Sequence, residues 1–219
     1  MVFPIGDENP RAEARAYVNI SVVAINVVVF LYLLTLSQGR LENLIFRFGT
    51  IPAEIRRGQD LFTLLTSQFI HGGWLHLISN MVFLWVFGDN IERALGHGVY
   101  LAFFLGAGVV ASLSHVAFNQ QSTIPSIGAS GAIAAVLGSY IVLFPVRQVR
   151  VLVLILITRV TAFIFLGVWA VLQLLSGLAS LGVATAQTGG VAVWAHVGGF
   201  AVGLGVGALA RNAGRQRLG

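Results

Sequence analysis

The sequence predicts an all-α, polytopic membrane protein built as one bundle of six transmembrane helices. Of its 219 residues, 57% are hydrophobic and only 10% are charged, whereas soluble domains are about half apolar and about a quarter charged. The long apolar runs lack period-two alternation, and only helices or closed barrels satisfy backbone groups in lipid, so strands are not expected. One membrane domain (17–210) is predicted between a short N-terminal tail (1–16) and a basic C-terminal tail (211–219).

Six apolar segments are candidates for the helix of about 20 residues that crosses a ~30 Å hydrocarbon core. In chain order they are Tyr17–Leu36, Leu75–Phe87, Val99–Phe118, Ile127–Phe144, Val160–Leu178 and Val191–Leu209. Pro4, Gly6 and several charges precede the first segment. A segment with such flanks is typical of a retained anchor rather than a cleavable signal peptide.

The arginines predict that both termini lie in the cytoplasm, because the inner segments of membrane proteins carry an excess of basic residues. With the N-terminus inside, the inner segments hold Arg11, Arg15, Arg93, Arg147, Arg150, Arg211, Arg215 and Arg217. The outer side holds Arg40, Arg47, Arg56 and Arg57. The outer loops Asn119–Ser126 and Gly182–Gly190 are uncharged, and Arg159 lies ambiguously at the edge of the fifth segment. The absence of lysine and the short tails suggest a prokaryotic cell membrane.

The first outer loop, Ser37–Gly73, is expected to rest partly in the membrane interface. It mixes scattered charges with apolar residues at Leu41, Leu44, Ile45, Phe46 and Phe48. That composition is typical of an amphipathic element lying at the level of the lipid headgroups. A solvated loop that is merely apolar is the alternative.

Composition also bears on cofactors and partners. The net charge of +5 could suit nucleic acid, but the arginines lie between apolar segments rather than in one patch. The lipid bilayer, and not nucleic acid, is therefore the expected partner. Cysteine is absent, which excludes disulfides, thiolate metal sites and a cysteine nucleophile. We expect neither a metal nor another cofactor.

Three polar sites lie near the starts of the second, fourth and sixth spans, and polar residues in lipid are costly enough to suggest function. One is the sequence Gly128-Ala129-Ser130-Gly131. A G-x-S-G string arises by chance about 0.17 times in a chain of this composition. Ala132 distinguishes it from the G-x-S-x-G elbow of soluble hydrolases. Small residues that pack a helix are the alternative interpretation.

The other two polar sites contain histidines. His196 precedes Gly199 and Gly203, which recur at helical spacing and let another helix approach closely. His76 and Asn80 are four residues apart and so share one helix face. A lone membrane histidine more often joins helices by a hydrogen bond than acts as a catalyst. A zinc site at His76 would lack a nearby carboxylate or thiolate.

Depth brings the three sites to one level. In the predicted topology the second, fourth and sixth spans all run from outside to inside, so Ser130, His76 and His196 fall at the outer end. The last carboxylate of the chain is Glu92, at the inner end of the second span. A Ser-His-Asp triad is therefore not expected, and a Ser130–His196 dyad is the economical interpretation.

Four motifs in this order resemble the rhomboid family of intramembrane serine proteases. They are His71-Gly-Gly-Trp-Leu-His76 with Asn80, Phe87-Gly-Asp-Asn-Ile-Glu92 with Gly96, Pro125-Ser-Ile-Gly128-Ala-Ser130-Gly131 with Gly138, and Ala195-His196 with Gly199 and Gly203. The resemblance covers most of the chain between Leu64 and Leu209. It implies a rhomboid-like bundle of six helices around a water-filled cavity that opens outward.

The resemblance also implies roles for individual residues. It implies Ser130 as the nucleophile, His196 as the base, and an oxyanion hole formed by His76, Asn80 and the Ser130 backbone N–H. Support for the site is expected from His71, Gly128, Gly131 and Gly199.

One position departs from the family pattern. Some rhomboids carry a tyrosine four residues after the serine, stacked under the catalytic histidine, and here that position is Ala134. Another group must then orient His196. The resemblance points to the fifth helix, with Phe165 and Trp169, and to the outer loops as the gate. Glu92 is expected to act structurally at the cytoplasmic end, as a cap or a pair near Arg93.

The expected function is that of a serine endopeptidase that cleaves transmembrane helices of other membrane proteins near the outer face, through an acyl-enzyme. A channel or small-solute transporter is one alternative, and the lack of Asp or Glu after the second span disfavours ion coupling. A non-proteolytic relative that binds transmembrane helices is the other. The presence of both Ser130 and His196 disfavours it.

Overall fold

A computed structural model describes residues 2–8, 15–181 and 192–216. Within these residues the chain is mostly helical, as expected, and the long helices pack against one another as a bundle. The expected outer loop Gly182–Gly190 lies outside the described residues. So do residues 9–14 of the N-terminal tail and residues 217–219 of the C-terminal tail.

Every predicted span has a helical counterpart in the described part of the chain. These counterparts are α1 (Tyr17–Leu34), α5 (Trp74–Phe83) with α6 (Asp89–Leu95), α7 (His97–Phe118), α8 (Ser130–Leu143), α9 (Ala162–Ala179) and α10 (Val193–Gln216). Between α1 and α5 lie α2 (Gln38–Phe48), α3 (Pro52–Ile55), α4 (Thr63–Thr66) and a 3₁₀ turn at Ser67–Phe69. The observed ends differ from the predicted ones by a few residues, except that the second and sixth helices continue well past Phe87 and Leu209.

Four of the described helices are long and apolar enough to cross a membrane, namely α1, α7, α9 and α10. A fifth candidate is the bent pair Thr63–Phe69 and Trp74–Leu95, whose two parts meet at 96°. Helix α8 is apolar but has only 14 residues, which is about 21 Å of helix at 1.5 Å per residue. The described residues therefore give four or five candidate spans and one short apolar helix.

The second helix is longer than predicted because a π-helical turn, Leu84–Gly88, joins α5 to α6. A π turn shifts backbone carbonyls away from their usual helical partners. The Asn19 amide donates a hydrogen bond to the Leu84 carbonyl oxygen at 3.1 Å, and the Tyr100 hydroxyl donates to Asn19 Oδ1 at 2.7 Å. Polar side chains from α1 and α7 thus stabilise the π turn, and the helix continues through it to Leu95.

Helix α8 lies inside the bundle, and glycines let α10 pack directly against it. Its residues from Gly131 to Tyr140 are all buried. A Cβ on Gly199 would collide with the Gly131 carbonyl oxygen, and one on Gly203 would collide with the Ala135 carbonyl oxygen. Such close backbone approach is how small residues join helices in membranes. The starts of α8 and α10 are held together in this way.

The expectation that strands are absent was wrong, because three strands form an antiparallel sheet in the order β1–β2–β3. They are β1 (Val2–Asp7), β2 (Gln148–Val153) and β3 (Leu156–Thr161). Val149 and Val151 are buried and Arg150 between them is exposed, so this short stretch has the alternation that the long apolar runs lack. β1 lies in the predicted tail, and β3 moves the start of the fifth helix from Val160 to Ala162.

A carboxylate fastens β1 to the bundle. Asp7 accepts hydrogen bonds from the Tyr140 hydroxyl and, at 3.0 Å, from the Asn90 amide. The Arg147 guanidinium lies 3.8 Å from the same carboxylate and donates to Asn90 Oδ1 at 2.5 Å. Because Tyr140 lies near the C-terminal end of α8, the sheet sits at the opposite end of this helix from Ser130.

Glu92 caps the start of α1. Its fully buried carboxylate accepts hydrogen bonds from the backbone N–H groups of Val18 at 3.0 Å and Asn19 at 2.7 Å. The first N–H groups of a helix have no partner within the helix, so the carboxylate of α6 supplies one. His97 Nδ1 also lies 2.5 Å from it. Glu92 therefore has the expected structural role, as a cap of α1. Arg93 forms its ion pair with Asp89 instead, at 2.9 Å.

Candidate active site

Ser130 and His196 lie in contact at one end of the bundle. Ser130 is the first residue of α8, and His196 lies in the first turn of α10. The Ser130 hydroxyl oxygen and His196 Nε2 are 2.7 Å apart, which is a normal hydrogen-bond length. Both side chains are half-buried. The contact between Gly131 and Gly199 lies beside this pair and fixes the separation of the two helices.

The second nitrogen of His196 has a partner on α9. His196 Nδ1 is 3.1 Å from Gln173 Oε1. When the Ser130 hydroxyl donates to Nε2, that nitrogen carries no proton. The neutral ring then carries its proton on Nδ1, and this N–H donates a hydrogen bond to the Gln173 amide oxygen. Gln173 was missed from the sequence, although an amide inside an apolar span is itself a signal of function.

Aromatic packing also reaches the His196 ring from α9. The Trp169 ring, one turn before Gln173, lies 6.0 Å from the imidazole at an angle of 37°, and the Phe200 ring lies 5.9 Å from Trp169. Ala134 is fully buried in α8 and has only a methyl group. The imidazole is therefore oriented by α9, and not by a ring on α8.

His76 and Asn80 lie one turn apart on α5 and line the same cavity as Ser130 and His196. The Asn80 amide donates to the His76 carbonyl oxygen at 2.8 Å. That bond uses one of the two amide hydrogens, so the other can serve a ligand. His76 is half-buried, and its ring can present an N–H to the same space. The structure thus brings together all four polar side chains that the sequence singled out.

A glycine with a positive φ brings His76 against the segment that precedes Ser130. Gly128 has a φ of 116°, a conformation that residues with a Cβ rarely adopt. A Cβ built there would lie 2.6 Å from His76 Nε2, so the imidazole packs directly on the glycine backbone. The Gly128 N–H donates to the Ser67 carbonyl oxygen at 2.8 Å. An isolated antiparallel bridge between Thr50 and Ser126 also secures this segment.

His71 lies behind His76. The two rings are 4.9 Å apart between centroids at an angle of 60°. His71 is only 2% exposed and is not among the residues that line the cavity. Its contribution to the site is therefore the packing of the His76 ring.

A cavity of about 580 Å³ opens beside these residues. Its polar lining comes from His76, Ser79, Asn80, Ser130, Gln173 and His196, and the rest is apolar. The volume lies in the range of about 300–1,000 Å³ that is usual for ligand sites. A mainly apolar pocket with a few convergent polar groups is typical of a ligand-binding or active site.

The electrostatic field at the site favours negative charge beside Ser130. The backbone N–H groups at the start of α8 have no partner within the helix, and the helix dipole places partial positive charge there. An oxyanion formed next to Ser130 would face this charge. Among the described residues there is no group of three or more His, Asp or Glu side chains placed to hold a metal ion.

Comparisons with known proteins match the part of the chain that contains these site residues. A family model described as a Rhomboid domain matches residues 58–213. Rhomboid protease GluP of Bacillus subtilis is 34% identical over 119 residues, which cover 53% of this chain and 22% of that protein. The mitochondrial presenilin-associated rhomboid-like proteins of Danio rerio and Homo sapiens are 29% and 31% identical, each over 61% of this chain and 34% of their own length. The aligned region thus spans no more than 34% of any of these three relatives.

Proposed function

The chain belongs to the rhomboid family, and we propose that it is an intramembrane serine endopeptidase. Ser130 is the nucleophile and His196 is the general base. The observation that carries the proposal is the 2.7 Å contact between the Ser130 hydroxyl and His196 Nε2. A hydroxyl in hydrogen-bonding contact with an imidazole is the arrangement that activates serine for nucleophilic attack.

Cleavage proceeds through an acyl-enzyme. The Ser130 oxygen attacks the carbonyl carbon of the scissile peptide bond while His196 Nε2 takes the hydroxyl proton. The imidazolium then gives this proton to the amide nitrogen as the C–N bond breaks, and Ser130 is left as an ester. In the second half, His196 takes a proton from water, the water oxygen attacks the ester, and the carboxylic product leaves as the serine hydroxyl forms again.

The oxyanion hole consists of the His76 and Asn80 side chains and the Ser130 backbone N–H. Supporting this assignment, both side chains line the cavity that contains Ser130, and the Ser130 N–H lies at the positive end of α8. Donors placed where charge develops stabilise the transition state more than the substrate. Removal of one such donor typically lowers turnover by about 10²–10³-fold.

The bundle crosses the membrane six times, with the short helix α8 as the fourth span. Pairing of β1 with β2 supports this count, because hydrogen-bonded strands must lie on the same side of a membrane. The number of crossings between Asp7 and Gln148 must then be even. Helix α1, the α5–α6 helix, α7 and α8 supply four. Without α8 as a span the number would be odd, and the sheet could not form.

The sheet lies in the cytoplasm and the catalytic cavity opens at the outer face of a cell membrane. This orientation follows the excess of arginine on the segments at the sheet end of the bundle. Helix α2 has no buried residue, as expected of a helix that lies in the outer interface. The membrane-spanning surface of the bundle contacts lipid.

The substrates are transmembrane helices of other membrane proteins. A helical peptide bond is shielded by its own hydrogen bonds, so the substrate must unwind near its outer end before a carbonyl reaches Ser130. The space between α5 and α9 is the proposed entrance. There the Phe83 and Phe165 rings stack 6.3 Å apart between centroids, an apolar contact that a substrate helix can replace.

Fluorophosphonate labelling tests the proposed nucleophile directly. In detergent, the wild-type protein should be labelled at Ser130, as located by mass spectrometry, and should cleave a single-span substrate. Ser130→Ala and His196→Ala should abolish both. Ser139→Ala is the matched control, since Ser139 lies on the same helix and donates to the Gly203 carbonyl oxygen at 2.9 Å, away from the cavity. Cleavage that persists in Ser130→Ala, or a label on another residue, would exclude Ser130 as the nucleophile.

A further inference from the structure

Gln173 is an amide in a helix that is otherwise strongly apolar. Helix α9 has the sequence AFIFLGVWAVLQLLSGLA, and several of its leucines are more than half exposed on the outside of the bundle. A primary amide in such surroundings is destabilising unless it forms hydrogen bonds. Its oxygen is directed at His196 Nδ1, 3.1 Å away. The contact with the imidazole therefore gives this side chain a partner that the lipid cannot provide.

We infer that Gln173 is a positioning residue, whose amide oxygen accepts a hydrogen bond from His196 Nδ1–H and so holds Nε2 towards Ser130. The inference rests on the proposed function, because it assigns a role within the same site. The two contacts of the imidazole, 3.1 Å to Gln173 and 2.7 Å to Ser130, fix both the ring orientation and the tautomer. Only the tautomer with the proton on Nδ1 leaves Nε2 free to act as a base.

Among the described residues that line the cavity, no other group performs this task. In many serine hydrolases a carboxylate holds the second nitrogen of the histidine. The cavity lining contains no Asp or Glu, and Ala134 cannot provide a ring under the imidazole. Trp169 packs against His196 from the same face of α9 as Gln173. One helix thus supplies both a hydrogen bond and an aromatic contact to the base.

The amide should act mainly in the transition state. As His196 takes the serine proton it becomes an imidazolium, and its Nδ1–H bond to the Gln173 oxygen becomes charge-assisted. Charge-assisted hydrogen bonds are roughly twice as strong as neutral ones. An interaction that strengthens in this way raises kcat rather than the affinity for substrate. Loss of the amide oxygen should therefore lower kcat and leave KM nearly unchanged.

Three variants of α9 test this inference. Gln173→Met keeps the side-chain length but removes the acceptor oxygen, and Gln173→Glu keeps an acceptor oxygen at the same place. Leu172→Met is the matched control, because Leu172 is 57% exposed and does not line the cavity. We expect kcat for a single-span substrate to fall about 10- to 100-fold in Gln173→Met, with KM within about threefold of wild type. Gln173→Glu should retain most of the turnover, and Leu172→Met all of it.

The outcomes separate this inference from the proposed function. If Gln173→Met has wild-type kcat, if its defect lies only in KM, or if Gln173→Glu loses as much turnover as Gln173→Met, the positioning role is refuted. If wild type itself neither cleaves nor labels, the proposed function fails instead. Should Gln173→Met not fold, Gln173→Asn serves in its place, since it retracts the amide oxygen by about one C–C bond, ~1.5 Å. Its kcat should also fall, and an unchanged kcat would refute the inference.

Discussion

Replacement of Gly128 by alanine should disable the site and leave the bundle folded. Gly128 has a φ of 116°, and its backbone supports the His76 ring. Alanine adds a methyl group at a point 2.6 Å from His76 Nε2. The ring must therefore retreat, and His76 is a proposed donor to the oxyanion.

The size of the effect follows from this geometry. To reach ordinary van der Waals contact the His76 ring must move by about 0.8 Å or more. Misplacement of a catalytic group by about 1 Å can lower the rate ~10²-fold, so we expect kcat to fall about 10²-fold. Alanine in a positive-φ conformation adds about 1–3 kcal/mol of backbone strain. The free energy of unfolding should fall by about the same amount, because the rest of the bundle is unchanged.

Steady-state cleavage of a single-span substrate and thermal unfolding in detergent measure the two effects. Gly73→Ala is the matched control: Gly73 directly precedes α5, has an extended φ of 174°, and has no heavy atom within 4 Å of the position that the new methyl group would take. It should keep wild-type turnover. A folded Gly128→Ala protein with kcat within about threefold of wild type would show that His76 need not be held where the structure places it.

Two further predictions concern contacts that hold the helices of the bundle together. Glu92→Ala should lower the free energy of unfolding by about 2–4 kcal/mol, because the N–H groups of Val18 and Asn19 lose their buried acceptor. Its unfolding temperature should fall clearly, whereas that of Glu42→Ala, a change at an exposed residue, should not. Equal unfolding temperatures of the two variants would contradict the capping role. Gly203→Leu should separate α8 from α10 and abolish cleavage and labelling, since any Cβ at this position meets the Ala135 backbone. Gly205→Leu is the control: a Cβ at position 205 has open space around it, so this variant should stay active. An active Gly203→Leu protein would show that this contact is dispensable.

Hydropathy predicted the helices well because lipid imposes a simple rule. A segment that crosses hydrocarbon must be apolar and helical, so the cores of α1, α7 and α9 follow from composition alone. The same rule fails where the chain leaves the lipid. The continuation of the second helix to Leu95 depends on Asn19 and Tyr100, which support the π turn from other helices. A hydropathy window over one segment of the chain contains no information about side chains that reach it from other helices.

The sheet was missed for a related reason. Strands β2 and β3 are short and rich in apolar residues, and in the sequence they merge with the span that follows. The alternation of Val149, Arg150 and Val151 was a usable local signal. Their partner β1 was not predictable from neighbouring residues, because it comes from the other end of the chain.

The candidate site was largely predictable, and its missing part is instructive. Ser130, His196, His76 and Asn80 stood out because polar groups are rare in spans and because their depths agreed. Gln173 is also a polar residue in an apolar span, but the order of residues does not say which way an amide on α9 points. The family pattern showed that Ala134 lacks the ring that orients the histidine in some rhomboids, but it did not indicate which residue orients His196 here. Only the packing of α9 against α10 brings Gln173 to the imidazole.

Pairing of β1 with β2 also orders events during translation. Asp7 and its partner Val149 are 142 positions apart, so the first strand leaves the ribosome long before the second exists. Contacts of such long range form slowly, because a large loop must close first. If the bundle has the six spans proposed above, a nascent chain whose fourth segment failed to insert would present the two strands to opposite compartments. Under the proposed topology, the hydrogen bonds of Asp7 with Asn90 and Tyr140 can therefore form only after α8 has been inserted as the fourth span.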